Sequence, residues 1–340
     1  MTTANRKLIN WLYSGCFLIF TMVVIGGITR LTGSGLSITE WNIITGTLPP
    51  LTNENWIDEF NKYQQSPQFQ QINTHFGLSD FKNIYWWEYF HRVIGRLLGI
   101  VFLVPFVYFL IKKLIPKDLL PKLILIFLLG AWQGFLGWYM VKSGLLNEPY
   151  VSHYRLAIHL VNAFITFGYI FWVILDLKYG NKRTNPQNSK LAIWVSLSIF
   201  ILVNIQIVYG GFVAGLHAGH IYNTWPMMGK EWVASSVGAA FRSNGMMSLV
   251  NDISSVQFIH RTVGVLIFSL ILWMWAIKYK FKVVQKQAIN LSMLLVIAQV
   301  LLGIFTLLCN VPIWLGVFHQ IGAFALFGAL IYQIHRFVKG

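Results

Sequence analysis

Long uninterrupted apolar stretches recur through the sequence, separated by shorter polar connections. Eight of them are long enough to cross a lipid bilayer, which takes roughly 20 residues per helix. Their predicted bounds are 9–31, 89–111, 119–141, 153–175, 191–213, 256–277, 287–309 and 314–336. A backbone in lipid must satisfy its own hydrogen bonds, so runs this apolar and without alternation predict helices. The pattern therefore predicts an all-α polytopic membrane protein with eight transmembrane helices.

The composition agrees with a membrane protein and adds an orientation. Only 11% of the residues are charged, whereas soluble proteins carry about a quarter. The formal net charge of +15 would suit a nucleic-acid partner. Most Lys and Arg residues, however, fall on the side of the N-terminus, where only two acids occur, Asp118 and Asp176. The positive-inside rule then predicts that both termini are cytoplasmic, with membrane lipid and no nucleic acid as surroundings.

The two longest connections, 32–88 and 214–255, are both predicted on the outer side of the membrane. In the first connection four apolar residues recur at helical spacing: Trp56, Ile57, Phe60 and Tyr63. Such a stripe suits either a helix that lies on the membrane interface or a helix that packs against the bundle. The sequence leaves both alternatives open.

The second half of the sequence repeats the first. Short motifs recur in the same order with slowly drifting offsets, as expected after a duplication. The matches are Gly26-Gly27 with Gly210-Gly211, Glu88-Tyr-Phe-His91-Arg92 with Gln257-Phe-Ile-His260-Arg261, Gln133 with Gln299, and the His159 run with the His319 run. Four spans per half is an even number, so both halves cross the membrane in the same direction. We predict two tandem, pseudo-symmetric four-helix bundles, residues 1–180 and 181–340.

Four histidines lie inside the predicted spans, at matching positions of the two halves: His91, His159, His260 and His319. Ionisable residues within a span are costly, which makes them functional candidates. A single such histidine is often a packing residue, but two repeated pairs favour imidazoles that hold heme iron across a bundle. All four lie at the same depth, near the outer face. We expect the other five to be solvated or interfacial: His75, His153, His217, His220 and His335.

The two halves differ beside the first histidine of each pair. Glu88 lies one turn before His91, whereas the repeat has the neutral Gln257 at that position. The carboxylate is predicted either to cap the helix N-terminus or to act as general base or charge stabiliser beside a reactive heme. Arg92 and Arg261, which follow the two histidines, suit either heme propionates or the outer headgroups.

Together these motifs resemble the heme A synthase family over nearly the whole chain. They are GGITRLTGSGLS at 26–37 followed by Trp41, EYFHRVIGR at 88–96, the His159 span, GGFVAGLHAGHIYNTWPMM at 210–228, QFIHR at 257–261 and FHQIGAF at 318–324. Some members carry cysteine pairs in the outer loops. The two cysteines here, Cys16 and Cys309, lie near opposite faces of the membrane. The chain is therefore similar to the cysteine-free class of proteobacteria and mitochondria.

The resemblance implies an oxidoreductase that converts the C8 methyl group of heme O to the formyl group of heme A through a hydroxymethyl intermediate. It implies a heme b cofactor on His260 and His319 and a substrate heme at His91 and His159, with Glu88, His91 and His159 catalytic. By the same analogy we expect heme O synthase and cytochrome oxidase assembly factors as partners. The expected location is a bacterial inner membrane, with the active side facing the periplasm.

Two other classes of function stay open on the residues alone. A di-heme b-type cytochrome would pass electrons from quinol to an outer partner and leave its hemes unmodified. A heme-handling module or a transporter would also use a duplicated bundle. Four histidines at one depth argue against electron conduction across the membrane, because such conduction needs hemes near both faces.

Overall fold

The computed structural model describes residues 3–40, 47–145, 149–180 and 190–339. Trp41, which carries part of the family resemblance, lies outside them. The α-helices of the described residues are α1 (Thr3–Leu31), α2 (Asn53–Gln64), α3 (Pro67–Gln71), α4 (Leu78–Ile111), α5 (Leu120–Gly144), α6 (His153–Tyr179), α7 (Lys190–Gly215), α8 (Ser235–Asn244), α9 (Ser248–Asn251), α10 (Ile253–Ala276), α11 (Val283–Leu308) and α12 (Ile313–Lys339). No strand occurs in these residues, which confirms the all-α prediction.

Eight of these helices are long and apolar enough to span a membrane: α1, α4, α5, α6, α7, α10, α11 and α12. Their outward faces carry exposed apolar side chains such as Val104 and Leu294, both 64% exposed, as lipid contact requires. The protein is therefore a multi-pass membrane protein. We call the end that carries the connections after α1 and α7 the outer end, and the opposite end the inner end. The cytoplasmic location of the termini stays a prediction.

Helix α4 begins much earlier than the apolar pattern indicates, at Leu78 instead of residue 89. Its start is fixed by Asp80, whose carboxylate accepts a hydrogen bond from the backbone N–H of Gly77 at 3.0 Å. The added turns are amphipathic and carry aromatic residues, so a search for uninterrupted apolar runs misses them.

The aromatic stripe of the first outer connection packs against these added turns. Trp56 and Tyr63 of α2 are buried, and the Tyr63 ring lies 5.2 Å from that of Phe81 on α4. Trp56 stacks edge-on against Tyr85 at 4.9 Å. The packing alternative is thus the correct one, and Ile57 is left 48% exposed on the opposite face.

Helices α1, α6, α7 and α12 form the centre of the molecule, with α4, α5, α10 and α11 around them. Aromatic rings fill the contact between α6 and α12: Phe167 lies 4.1 Å from Phe324, and Phe164 lies 5.3 Å from Phe327. The interface between the halves is therefore a continuous core. The bundle boundary predicted at 180/181 adjoins residues 181–189, which lie outside the described residues, and the bundle division stays a prediction.

Two sets of polar contacts join the halves, one at each end. At the outer end Arg30 of α1 donates to the last carbonyls of α7, those of Ala214 at 2.7 Å and Gly215 at 3.1 Å. These carbonyls have no partner within their own helix, so the guanidinium caps α7. The cap ties the end of the first helix of one half to the end of the first helix of the other.

At the inner end the buried Asp176 of α6 gathers three basic side chains. Its carboxylate lies 2.6 Å from Lys339 Nζ, 3.3 Å from Lys122 Nζ and 3.3 Å from His335 Nε2. The prediction that His335 is solvated or interfacial is wrong, because this residue of α12 faces α6 and is fully buried. His75, His217 and His220 are exposed as predicted.

Candidate heme site

The two candidate histidines of the C-terminal half face each other. His260 of α10 and His319 of α12 have ring centres 6.3 Å apart, with their planes at 72°. A metal–imidazole bond is about 2 Å long. Once the distance from ring centre to nitrogen is added, a span of 6.3 Å suits two imidazoles that share one metal ion. The pair therefore fits the iron of a heme.

Each of the four candidate histidines rests against a glycine of a neighbouring helix. A Cβ atom added to that glycine would lie between 2.9 and 3.4 Å from an imidazole atom, so a larger residue would displace the ring. The pairs are Gly26 with His91, Gly137 with His159, Gly210 with His260, and Gly303 with His319. The same kind of glycine contact therefore positions all four rings. All four histidines are half-buried.

Glutamine amides from neighbouring helices approach three of the four histidines. Gln206 Nε2 donates to the His260 carbonyl at 2.9 Å and lies 3.3 Å from its ring Nε2. Gln133 contacts His159 in the same way, at 3.1 Å to the carbonyl and 3.3 Å to the ring. The third contact joins Gln299 Nε2 to His319 Nε2 at 3.4 Å.

The N-terminal pair is arranged less tightly. His91 and His159 make no ring contact with each other, and His91 has no side-chain hydrogen bond, within the described residues. His159 is held through Gln133, whose own Oε1 accepts from Asn162 Nδ2 at 2.6 Å. The structure thus brings His260 and His319 into ring contact, and no such contact joins His91 and His159 in the described residues.

Glu88 is buried one turn before His91 and binds the segment that follows α1. Its Oε2 accepts hydrogen bonds from the Ser37 N–H at 2.7 Å, the Ser37 hydroxyl at 2.7 Å and the Ile38 N–H at 3.0 Å. Its Oε1 accepts from Arg92 Nη2 at 2.7 Å. The carboxylate therefore fixes residues 37 and 38 beside the histidine site.

The alternative that Glu88 caps the N-terminus of its helix is wrong. Helix α4 begins at Leu78, so Glu88 lies nearly three turns inside it. In the repeat, the contacts of Gln257 with the described part of the chain are long, 3.4 Å from Nε2 to the Tyr222 carbonyl and 3.4 Å from Oε1 to Arg261. The charged, fully bonded side chain is thus a feature of the N-terminal half.

The arginines after the first histidine of each half bind loop carbonyls. Arg92 donates to Ile38 at 2.9 Å and to Glu40 at 2.8 Å. Arg261 donates to Tyr222, and to Thr224 at 2.9 Å. These contacts tie both side chains to the outer connections, and contact with the outer headgroups stays a prediction. Propionate binding by these arginines stays a prediction.

Two residues of the site were missed in the sequence. Ser37 lies inside the GGITRLTGSGLS motif, but nothing in the sequence pairs it with Glu88. Gln206 escapes the search for repeated residues because the matching position of the first half is Met22. A comparison of the halves for differences, and not only for identities, would have found it.

Comparisons with known proteins cover nearly the whole chain. The family described as cytochrome oxidase assembly protein (COX15-CtaA) matches residues 9–331. A heme A synthase of Flavobacterium psychrophilum is 48% identical over 339 residues, covering 98% of this chain and 99% of its own. Heme A synthases of Flavobacterium johnsoniae and Parvibaculum lavamentivorans are 48% and 42% identical, and cover 100% and 99% of this chain and 100% and 96% of their own.

Proposed function

Because this chain belongs to the cytochrome oxidase assembly protein family, we propose that it is a heme A synthase that acts on heme O. The reaction oxidises the C8 methyl group to a formyl group through a hydroxymethyl intermediate. Overall the methyl group and one water become the formyl group, with release of four protons, two from the methyl group and two from the water, and of four electrons. The electrons pass to an oxidant outside the chain. The observation that carries the proposal is the facing pair His260 and His319 in a chain similar throughout to heme A synthases.

The C-terminal half would hold a heme b cofactor on His260 and His319. When bound, this heme supplies a redox centre that accepts and passes on single electrons. The residues around it serve to bind and orient: Gly210 and Gly303 admit the two rings, and Gln206 donates to the backbone carbonyl of His260. The neutral Gln257 adds no charge beside this cofactor.

The N-terminal half would bind heme O between His91 and His159. Glu88 lies one turn from His91 and brings a negative charge to this half alone. A carboxylate there stabilises positive charge that develops at the reacting methyl carbon and can accept a released proton. Its hydrogen bonds to Ser37 and Ile38 hold it in place while the reaction proceeds.

The test is conversion of heme O. The full-length protein is expressed in a host that supplies heme O, and the hemes extracted from its membranes are separated by chromatography. We expect the hydroxymethyl heme and heme A to appear. Recovery of only heme O and heme b would overturn the proposal in favour of a di-heme b-type cytochrome. The same membranes test the proposed location, a bacterial inner membrane with the site facing the periplasm. A label applied from the periplasmic side should react with the outer connections.

Histidine variants test which half holds the heme b cofactor and which half binds heme O. Replacement of His260 or His319 by Ala should remove the stably bound heme b, because one of the two residues that would hold it is lost. Replacement of His91 should leave heme b bound and stop product formation. The absorbance of the purified variants reports heme b, and loss of heme b from the His91 variant instead would reverse the assignment.

A further inference from the structure

The amide of Gln206 makes two contacts with one histidine. Nε2 donates to the backbone carbonyl of His260 at 2.9 Å and lies 3.3 Å from the ring nitrogen Nε2 of the same residue. Since the carbonyl only accepts, the first contact fixes the orientation of the amide. The ring contact uses the lone pair that iron would need, so it gives way when the imidazole holds iron, whereas the carbonyl contact does not. A single side chain of α7 therefore restrains the backbone of His260 on α10.

Gly264 makes this approach possible. In a helix the carbonyl of one residue points toward the residue four positions later, which for His260 is Gly264. A Cβ atom there would lie 3.3 Å from Gln206 Nε2, so a larger residue would crowd the amide. The glycine thus opens the surface of α10 at the place where the amide enters.

The N-terminal half has the same arrangement with a different side chain. Gly95 lies four residues after His91, and a Cβ atom there would be 3.5 Å from Cε of Met22 on α1. A thioether has no N–H to donate. Met22 therefore fills the position of Gln206 without holding His91 by a hydrogen bond.

The second histidine of each half does not show this difference. Gln133 contacts His159 and Gln299 contacts His319, at 3.3 and 3.4 Å to ring nitrogens. Both halves place a glutamine on that side, and Gln133 also donates to the His159 carbonyl at 3.1 Å. The side-chain type differs only at the first histidine, where Met22 replaces Gln206. The difference concerns one histidine of each pair.

We propose that Gln206 is a positioning residue that keeps His260 in place for a retained heme, and that Met22 leaves His91 without such a hydrogen bond so that a heme can enter and leave. This inference rests on the proposed function, in which the C-terminal heme is a cofactor and the N-terminal heme is turned over. A preorganised ligand loses less conformational freedom on binding and so holds its partner longer. A ligand that is not held favours exchange for the same reason.

The test exchanges the two side chains in the full-length protein. In Gln206→Met we expect heme b to transfer to excess apomyoglobin roughly two- to tenfold faster, the effect of one hydrogen bond. We also expect the electron paramagnetic resonance spectrum of the ferric heme to broaden, because the His260 ring takes more than one orientation. Ile205→Met, on the neighbouring exposed position of α7, is the matched control and should match the wild type in both measurements.

The reciprocal variant Met22→Gln tests the other half. It should keep heme b unchanged, retain more heme O or heme A through purification, and turn over more slowly. Wild-type heme transfer in Gln206→Met would overturn the inference, as would unaltered heme retention in Met22→Gln. If Gln206→Met fails to fold in size-exclusion chromatography, the reciprocal variant alone decides.

These measurements are separable from the test of the proposed function. Heme transfer to apomyoglobin and the spectrum of the ferric heme need no conversion of heme O. A protein that leaves heme O unmodified but loses heme b faster as Gln206→Met would contradict the synthase and support the role of Gln206. Conversion of heme O with unchanged heme transfer would support the synthase and contradict the role of Gln206.

Discussion

Single side chains decide how the two similar halves differ. Glu88 and Gln257 occupy matching positions, yet only Glu88 is charged and bonded by four donors. A buried carboxylate needs such donors, because an unpaired charge away from water costs several kcal/mol. The segment that follows α1 is thus folded onto the carboxylate, and the charge is kept where the substrate heme is proposed to bind.

The charge of Glu88 is tested by Glu88→Gln. This variant should retain heme b and lose product formation by roughly a hundredfold or more, the range for a group that assists proton transfer or stabilises charge. Ser37→Ala is the control, because it removes one hydroxyl donor and keeps the carboxylate. Product formation by this variant should fall by less than about tenfold. Product chromatography measures both. Equal losses in the two variants would mean that Glu88 acts only by anchoring residues 37 and 38.

The glycine contacts of the histidines are tested by Gly303→Ala. The added Cβ atom would lie 2.9 Å from His319 Cε1, so the ring must shift and the variant should purify with little heme b. Gly137→Ala, 3.2 Å from His159, should keep heme b and lose product. The control is Gly99→Ala, where no atom lies within 4 Å. Full heme b content in Gly303→Ala would show that the His319 ring can shift without losing heme b.

Among the helices, α4 joins the membrane core to the outer connection. Its first turns pack against α2 through Trp56, Tyr63, Phe81, Ile84 and Tyr85, an outer aromatic cluster. Further along the same helix come Glu88 and His91. The packing of the connection and the placement of the site residues are therefore properties of one continuous helix.

We expect Phe81→Ala to release α2 from α4. Phe81 is fully buried, and truncation of such a ring typically costs about 3–5 kcal/mol. Limited proteolysis should then cut the segment between residues 52 and 77 while heme b stays bound. Ile57→Ala, on the 48% exposed face of α2, should resist cleavage like the wild type. Unchanged resistance of Phe81→Ala would show that other contacts suffice to hold α2.

For the molecule as a whole, the halves are joined by an apolar centre and by a polar contact at each end. Arg30 caps α7 at the outer end, and Asp176 binds Lys339 and His335 at the inner end. Polar contacts of this kind have strict geometry, whereas apolar side chains tolerate sliding. They define how α6 and α12 align, and so how the two histidine pairs lie relative to each other.

Asp176→Asn tests the inner contact. The amide cannot compensate the nearby basic groups, and breaking a buried ion pair commonly costs about 3–5 kcal/mol. We expect a lower melting temperature in detergent and earlier loss of heme b on heating. Asp118→Asn removes an exposed acid of the same inner end and should melt like the wild type. Equal melting of the two variants would show that the apolar centre alone aligns the halves.

The membrane-spanning helices could be predicted from the sequence, whereas features that depend on contacts between side chains could not. All eight spans follow from hydropathy, because lipid leaves a backbone few alternatives to a helix. The early start of α4 is fixed by Asp80, and its first turns pack against α2; no apolar run reveals either feature. The burial of His335 depends on which face of α12 meets α6. The contact of Gln206 with His260 could not be predicted without knowing that Gly264 leaves space for the amide.

The ion cluster at Asp176 also bears on how the chain is made. Translation produces α6 well before α12, so Asp176 enters the membrane when Lys122 is the one member of its cluster already synthesised. Lys339 and His335 arrive only with the last spanning helix. The first half therefore cannot complete its own packing during synthesis. Asp176 therefore acquires two of its three basic partners only after α12 has been synthesised.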